Sequence, residues 1–307
     1  FYNNSSDWQG YLYRTSLTQD YSSSIRGAGD FGQYSISIGY MDSKGILFNT
    51  GFKRYSIMAN TSFNALKNAL VINNTLAISR TDQGKNPDAL STSYSSLLPL
   101  PDNPLVKGAE VYTPGRISNL NDRVRFSTEA ALNIVKDLSY KASLSLEYLR
   151  AMQDSYSESR RTLRASNKSG TGENQNMLFQ NTLTYTPTFG DGHSLSVLLG
   201  QSMEKTEAKI TTVNSVSNAP TLSQTVNWPK GNSIGSSNYT ASTMMSYFSR
   251  LDYNFQQKYL LGASIRTDGS SKFGKANRWG VFPSISAGWN FYKEGLFSNV
   301  DWLSNGK

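Results

Sequence analysis

The stretch "RTDGSSKFGKANRWGVFPSISAGWNF", Arg266–Phe291, joins a polar, glycine-punctuated run to a segment in which Val281, Ile285, Ala287, Trp289 and Phe291 alternate with other residues. A period of two is the signature of a strand with one apolar face. The same period recurs along the chain. Tyr34, Ile36, Ile38 and Tyr40 share one parity, as do Tyr55, Ile57, Ala59 and Phe63 with Thr61 among them. Further sets are Leu70, Ile72, Leu76 and Ile78; Phe126, Ala130, Leu132 and Ile134; and Tyr140, Ala142, Leu144, Leu146 and Tyr148. After these come Phe179, Leu183 and Tyr185; Leu195, Val197, Leu199 and Met203; Met245, Tyr247, Leu251, Tyr253 and Phe255; and Tyr259, Leu261, Ala263 and Ile265. With a weaker segment around Tyr21–Arg26, the pattern predicts about eleven strands, each near the ~9–11 residues that cross a bilayer at a tilt.

The links between these segments alternate in length. Short ones (Ala28–Gly32, Asn64–Asn68, Val135–Asp137, Pro187–Gly192, Gln256–Lys258) take turns with long ones (Asp42–Gly51, Thr81–Val124, Ala151–Asn176, Lys205–Ala241, Thr267–Arg278). Short turns on one side and long loops on the other are the plan of an outer-membrane barrel; a soluble sandwich would scatter its loop lengths over both ends. Three pairs of rings, Tyr55 and Phe63, Tyr140 and Tyr148, Tyr247 and Phe255, stand eight positions apart on the apolar parity. Eight residues at a tilt of ~40° project to roughly 21 Å, close to the ~25 Å apolar band that aromatic girdles flank. The opposite parity is polar, as in Lys141, Ser143, Ser145 and Glu147, and such a face requires water or a polar plug. The expected fold is therefore all-β: part of a transmembrane antiparallel barrel with short periplasmic turns and long extracellular loops.

Composition is compatible with that reading. Only 37% of the 307 residues are hydrophobic and mean hydropathy is −0.47, values usual for a soluble protein, yet a barrel averages out as hydrophilic because only every second strand residue meets lipid. No apolar run approaches the ~20 residues of a membrane helix. The absence of Cys excludes a disulfide framework and thiolate metal sites. The net charge of +8 admits nucleic acid, anionic lipid or acidic ligands as partners without choosing among them.

Catalytic and cofactor motifs fall short. "GSSKFGKA", Gly269–Ala276, nearly matches the phosphate-binding loop, but Ala276 stands where the Mg²⁺-binding hydroxyl belongs and a strand-like segment follows where a helix is required. Gly27-Ala28-Gly29 lacks the third glycine of a dinucleotide loop. His193, the only histidine, sits in a glycine-rich turn without a readable catalytic partner. Asp82, Asp88 and Asp102 have no calcium-loop spacing. No cofactor and no resident metal are expected. Arg150, Arg160, Arg161, Arg164 and Lys168 form a basic region with no aromatic between Arg160 and Lys168, which argues against nucleic acid and for solvated loop charge or contact with phosphate-bearing outer-membrane lipid. Tyr112, in a proline-rich loop, and Trp228 and Tyr239, in a loop rich in amides and hydroxyls, are the candidate substrate contacts, since aromatic faces with hydrogen-bonding neighbours suit sugars and peptides.

The opening stretch resembles a barrel segment of the SusC/RagA-type TonB-dependent transporters of the Bacteroidetes outer membrane. Asp7–Gly27, Tyr34–Phe63 and the loop prolines of "PLPDNP" are similar to the same family. The resemblance implies a barrel of about 22 strands in the outer membrane, of which residues 1–307 form one part of a single barrel domain, with the plug domain and remaining strands absent. It further implies import of oligosaccharides or peptides, driven through the TonB-ExbB-ExbD system, with a SusD-like surface lipoprotein as partner, and no enzymatic role. A passive porin, a surface adhesin, a soluble carbohydrate-binding sandwich and an outer-membrane hydrolase are the alternatives. Pro283, which has no N–H for a ladder, is expected at a strand end or bulge.

Overall fold

The computed structural model describes residues 13–47, 50–85, 115–159, 164–217, 232–294 and 306. Eleven strands follow one another in chain order: β1 (Thr18–Gly29), β2 (Gly32–Lys44), β3 (Gly51–Ala65), β4 (Leu70–Lys85), β5 (Gly115–Val135), β6 (Leu138–Ser159), β7 (Arg164–Tyr185), β8 (His193–Ser217), β9 (Asn232–Phe255), β10 (Tyr259–Ser270) and β11 (Trp279–Trp289). They form one antiparallel sheet in which each strand pairs with the next. β1 and β11 are not paired with each other among the described residues.

The register puts the apolar parity of every strand on the same side. Residues directly opposite each other in an antiparallel ladder share a face, and the row Ile25–Ile36–Ala59–Leu76–Phe126–Leu146–Met177 runs across β1 to β7 without a break. At the other end, Leu251, Ala263 and Ile285 form a row across β9, β10 and β11. Among the described residues no second layer covers this face. Ala165 is the only buried apolar side chain among the described residues, while Ile36 is 42% and Ile285 86% exposed. A water-soluble sandwich would bury these rows between sheets; here they are offered to the surroundings. Two hollows lie on the opposite, polar face. One of about 690 Å³ is lined by Arg26, Gln33, Ser35, Asn60, Asn73 and Thr75, and one of about 280 Å³ by Ser194, Ser196, Asp252, Asn254 and Ser286.

The number of strands matches the periodicity, but their lengths do not. β5 to β9 run 21 to 25 residues, about twice a membrane span. Gly115–Val124, Ala151–Ser159, Arg164–Asn176, Lys205–Ser217 and Asn232–Ala241 continue the ladders where loops are expected from sequence. Beyond the apolar band both faces meet water, so no alternation marks these segments as strands, and continued hydrogen bonding to the neighbour holds them. Arg150 and Lys168 thus belong to β6 and β7 rather than to a loop; Arg160 and Arg161 lie outside the described residues.

The short links remain tight. In the three-residue link between the paired Phe255 and Tyr259, Gln256 and Gln257 both take positive φ, 51° and 54°, the left-handed conformation that tight hairpin links matched to strand twist use. A register shift between Asn133 and Val135 is the one irregularity in the described ladders. Pro283 departs from expectation: it sits mid-strand in β11, opposite Ile265, with no bulge. β11 is bonded on one side only among the described residues, so a missing donor leaves the β10 ladder in register. Gly269–Ala276 leads through a single 3₁₀ turn at Lys275–Asn277 into β11, not into the helix a phosphate loop needs.

Candidate functional site

The functional element is the two-faced wall itself, and charge divides its faces. On the apolar face, the alternate residues from Tyr34 to Tyr40, Tyr55 to Phe63, Leu70 to Ile78, Val124 to Leu132, Tyr140 to Tyr148, Met177 to Tyr185, Leu195 to Met203, Tyr247 to Phe255, Tyr259 to Ile265 and Val281 to Trp289 include no Asp, Glu, Lys or Arg. The first charged residue beyond this band, toward the long links, is Lys53 on β3, Arg80 on β4, Asp122 on β5, Arg150 on β6, Glu173 on β7 and Lys205 on β8. Several of these pair at once: Arg80 grips Asp122 through Nε at 2.6 Å and a terminal nitrogen at 2.8 Å, and Lys205 meets Glu207 at 3.0 Å. The Arg80 guanidinium holds the Asp122 carboxyl below the usual carboxylate range.

Along the same strands, the concave face carries its charges at band level. Arg125 and Arg123 converge on Glu147 at 3.0 Å and 3.6 Å, and Lys141 reaches Glu129 at 3.1 Å. Arg250 pairs with Asp252 at 2.7 Å. Arg266 pairs with Asp268 at 2.7 Å, donates to the Ser246 hydroxyl at 3.1 Å and lies 5.6 Å from the Phe248 ring centre. Such a wall is wetted and hydrogen-bonding. His193 opens β8 on the apolar face, with Nδ1 2.7 Å from the Tyr253 hydroxyl and its ring 4.6 Å from that of Phe255. It is an aromatic neighbour at the strand end, with no carboxylate bonded to it among the described residues.

The sequence-predicted rings Tyr55, Phe63, Tyr140, Tyr148, Tyr247 and Phe255 all stand on the apolar face. Their levels shift from strand to strand: Tyr247, at the long-link end of the β9 band, lies in one hydrogen-bonded row with Phe63, at the short-turn end of the β3 band, through Ile72, Ala130, Ala142, Asn181 and Gln201. Sequence parity missed neighbours that this register supplies. Tyr21, Tyr40 and Tyr55 form a ladder with ring centres 6.4 Å and 5.1 Å apart, and Trp279 stacks on Tyr247 at 6.2 Å. Tyr239 stands on the extension of the apolar face, its hydroxyl donating to Glu207 at 2.6 Å, because odd-numbered residues of β9 point away from the concave side. Tyr112 and Trp228 lie outside the described residues.

At the short-turn rim, three donors meet on Glu294: the Tyr259 hydroxyl at 2.6 Å, Lys258 Nζ at 3.2 Å and Trp289 Nε1 at 3.3 Å. These hydrogen bonds, that of Tyr259 foremost, hold the Glu294 carboxyl below its ordinary range. A depressed acid stabilises the folded arrangement above the unfolded-state pKa and loses that contribution as pH falls through the folded value. Protection of the amides at Asn290–Glu294 against hydrogen exchange, taken relative to the intrinsic rate at each pH, is therefore expected to fall below about pH 4.5 in the full-length protein. Glu294→Gln should show the lower protection already at neutral pH and lose this acid dependence.

No protein-family model matches the chain. It is 26% identical to the TonB-dependent receptor SusC of Bacteroides thetaiotaomicron over 355 aligned positions, covering 97% of this chain and 34% of SusC. With TonB-dependent receptor P39 of Formosa agariphila it shares 23% identity over 304 positions, covering 91% of this chain and 28% of the receptor. Its fold superimposes on the RagAB peptide importer in the closed-closed state with a TM-score of 0.79 at 21% identity, covering 96% of this chain and 36% of that one. The chain thus spans about a third of the length of the relatives it matches, and those named for a function are receptors and transporters, not enzymes. A single two-faced sheet with an uncharged apolar band, together with these likenesses over nearly its whole length, gives the chain the fold of an outer-membrane TonB-dependent receptor barrel and makes it similar in sequence to receptors of the SusC type.

Proposed function

We propose that this chain forms part of the barrel wall of an active importer, which moves oligosaccharides or peptides across the outer membrane with energy delivered by the TonB-ExbB-ExbD system and with a SusD-like lipoprotein at its surface. The observation that carries the reading is the pairing of an uncharged lipid-facing band, from β2 to β11, with a polar concave face that carries paired charges on β5, β6, β9 and β10. On this reading the 307 residues belong to a single barrel domain, and the remaining strands and plug lie elsewhere in the protein. Coverage of only 28% to 36% of the relatives' lengths supports this division.

Tyr55, Phe63, Tyr140, Tyr148, Tyr247 and Phe255 serve as interfacial anchors. The shift that aligns Tyr247 with Phe63 supports this role. Eight residues over the six steps from β3 to β9 correspond to about 4.4 Å along the strands for each ~4.8 Å between them, a tilt of ~40°, within the range of closed barrels. At that tilt the rings of β3 and β9 lie level, and those of β6, displaced by two residues rather than four over the three steps from β3, lie about 5 Å from that level. Substrate meets the luminal side chains around Arg125, Glu147 and Arg266, and the long loops that hold Tyr112 and Trp228.

The test is uptake of a labelled oligosaccharide or peptide by cells that produce the full-length protein, with and without TonB. Uptake should fall to background without TonB. Transport unchanged by its loss would make the barrel a passive porin.

A further inference from the structure

On one side β9 stands taller than its neighbour. It runs from Asn232 to Phe255, but its ladder with β10 ends where Met244 faces Ser270. One further residue caps that ladder: the Ser271 N–H donates to the Thr243 carbonyl at 2.9 Å, and the Ser271 hydroxyl accepts the Thr243 N–H at 2.8 Å. Thr243 thus turns both of its backbone groups toward the β10 side. Alternate residues of an antiparallel strand address the same neighbour. Ala241, Tyr239, Ser237 and Gly235 therefore point their N–H and C=O groups the same way, where no strand lies among the described residues. This free edge is about 20 Å long, and every residue from Asn232 to Ala241 is exposed.

Natural sheets blunt such edges with charged side chains, proline or bulges, because an open row of backbone groups invites another chain to pair. None of these devices is present: Asn232–Ser242 contains no charged residue and no proline, and its register with β8 is unbroken. Barrel closure cannot cover the edge either. Further strands add beside β1 and β11, whereas the place next to β9 is taken at membrane level by β10. Whatever fills the notch above β10 is no strand of the barrel.

We propose that this edge is a docking strand for cargo, and that the cargo is an extended peptide that pairs with Gly235–Ala241 in parallel, its C-terminal carboxylate at the Thr243 end. A row of N–H and C=O groups at strand spacing has its complement in another peptide backbone, not in an oligosaccharide. The side chains of Gly235, Ser236, Ser237 and Ala241 are small, so the pairing reads backbone and accepts varied sequence, as cargo requires. A permanent protein partner is held by a core of apolar contacts, and among Asn232–Ser242 only Ile234 and Tyr239 are large and apolar or aromatic. Charge sets the direction. The link to β11 begins with Ser271 at the foot of the edge, and its Lys272, Lys275 and Arg278 are exposed and in no ion pair among the described residues. Every peptide carries a matching carboxylate at its C-terminus. Since β9 descends from Asn232 to this foot, a peptide with its carboxylate there runs parallel to it.

The inference rests on the importer reading above and narrows its cargo to peptides, but its test makes no use of TonB. Full-length protein in bilayer nanodiscs, its folding checked by the heat-dependent shift in electrophoretic mobility that barrels show, is titrated with a fluorescent heptapeptide of serine, threonine and valine. Binding should protect the amides of Gly235, Ser237, Tyr239 and Ala241 against hydrogen exchange. Amidation of the peptide's C-terminus, or N-methylation of its alternate residues, should weaken binding roughly tenfold, and maltoheptaose should not compete. Ser237→Pro removes an N–H that faces the free side and leaves the β8 ladder its donors, so it should weaken binding by a similar factor with the mobility shift intact. Protection of these amides already present in the peptide-free protein, or gained on adding a surface lipoprotein instead of the peptide, overturns the proposal. So does undiminished binding of the amidated peptide, or undiminished binding by folded Ser237→Pro. Uptake unchanged by loss of TonB would instead count against the importer reading alone.

Discussion

Leu144→Arg should cost the barrel about 2–4 kcal/mol of folding free energy in a bilayer, the penalty of a cation on the lipid face at the midplane. Leu144 is the middle outward residue of β6 between Tyr140 and Tyr148, opposite Thr128 on β5 and Phe179 on β7. Every route by which an arginine could reach water from there passes two layers of apolar side chains. Ser145→Arg, one residue on, points to the concave side beside Ser127, where charges such as Glu147 and Lys141 already stand, and should cost close to nothing. Urea titrations of the full-length protein folding into lipid vesicles measure both. Equal penalties at the two positions would mean that the faces have been assigned the wrong way round.

The second large effect is expected at Gly32→Ala. Gly32 opens β2 with φ of +153° and lies opposite Phe63, and a Cβ placed on it would run into the backbone carbonyl oxygen of Ser62 on β3. Side-chain repacking cannot relieve this contact, because the obstacle is main chain. The substitution forces either a strained backbone, at about 1–3 kcal/mol, or a local opening of the short turn that joins β1 and β2. Gly172→Ala serves as the control: no atom lies within 4 Å of its Cβ position and its φ is not positive. Urea unfolding should separate the two variants, with Gly172→Ala indistinguishable from the parent and Gly32→Ala shifted to lower denaturant. Amide exchange around the Asp30–Phe31 turn should rise only in the latter.

The contrast between these two sites shows which information is local. Leu144 was legible as a lipid-facing residue because its neighbours at 142, 146 and 148 share its parity, and hydrocarbon on one side with water on the other leaves a period of two in the sequence. The eleven strands, the short links and the six paired rings follow from the same asymmetry. Gly32 carries no such mark: its restriction comes from Ser62, thirty residues away, and only pairing reveals it.

What the residues alone determined is therefore the band: its apolar parity, its freedom from charge and the alternation of turn lengths, each imposed by the solvent that meets each face. Tertiary structure decided the rest. Strand extension beyond the band was invisible, since Lys205–Ser217 and Asn232–Ala241 meet water on both sides and are held by ladder bonds whose partners are distant in sequence. The level of each ring, the convergence of Tyr259, Lys258 and Trp289 on Glu294, and the meeting of Asn181 with Gln201 likewise depend on register. Register is a relation between strands, fixed when apolar rows must align across all of them at once, and no single segment contains it.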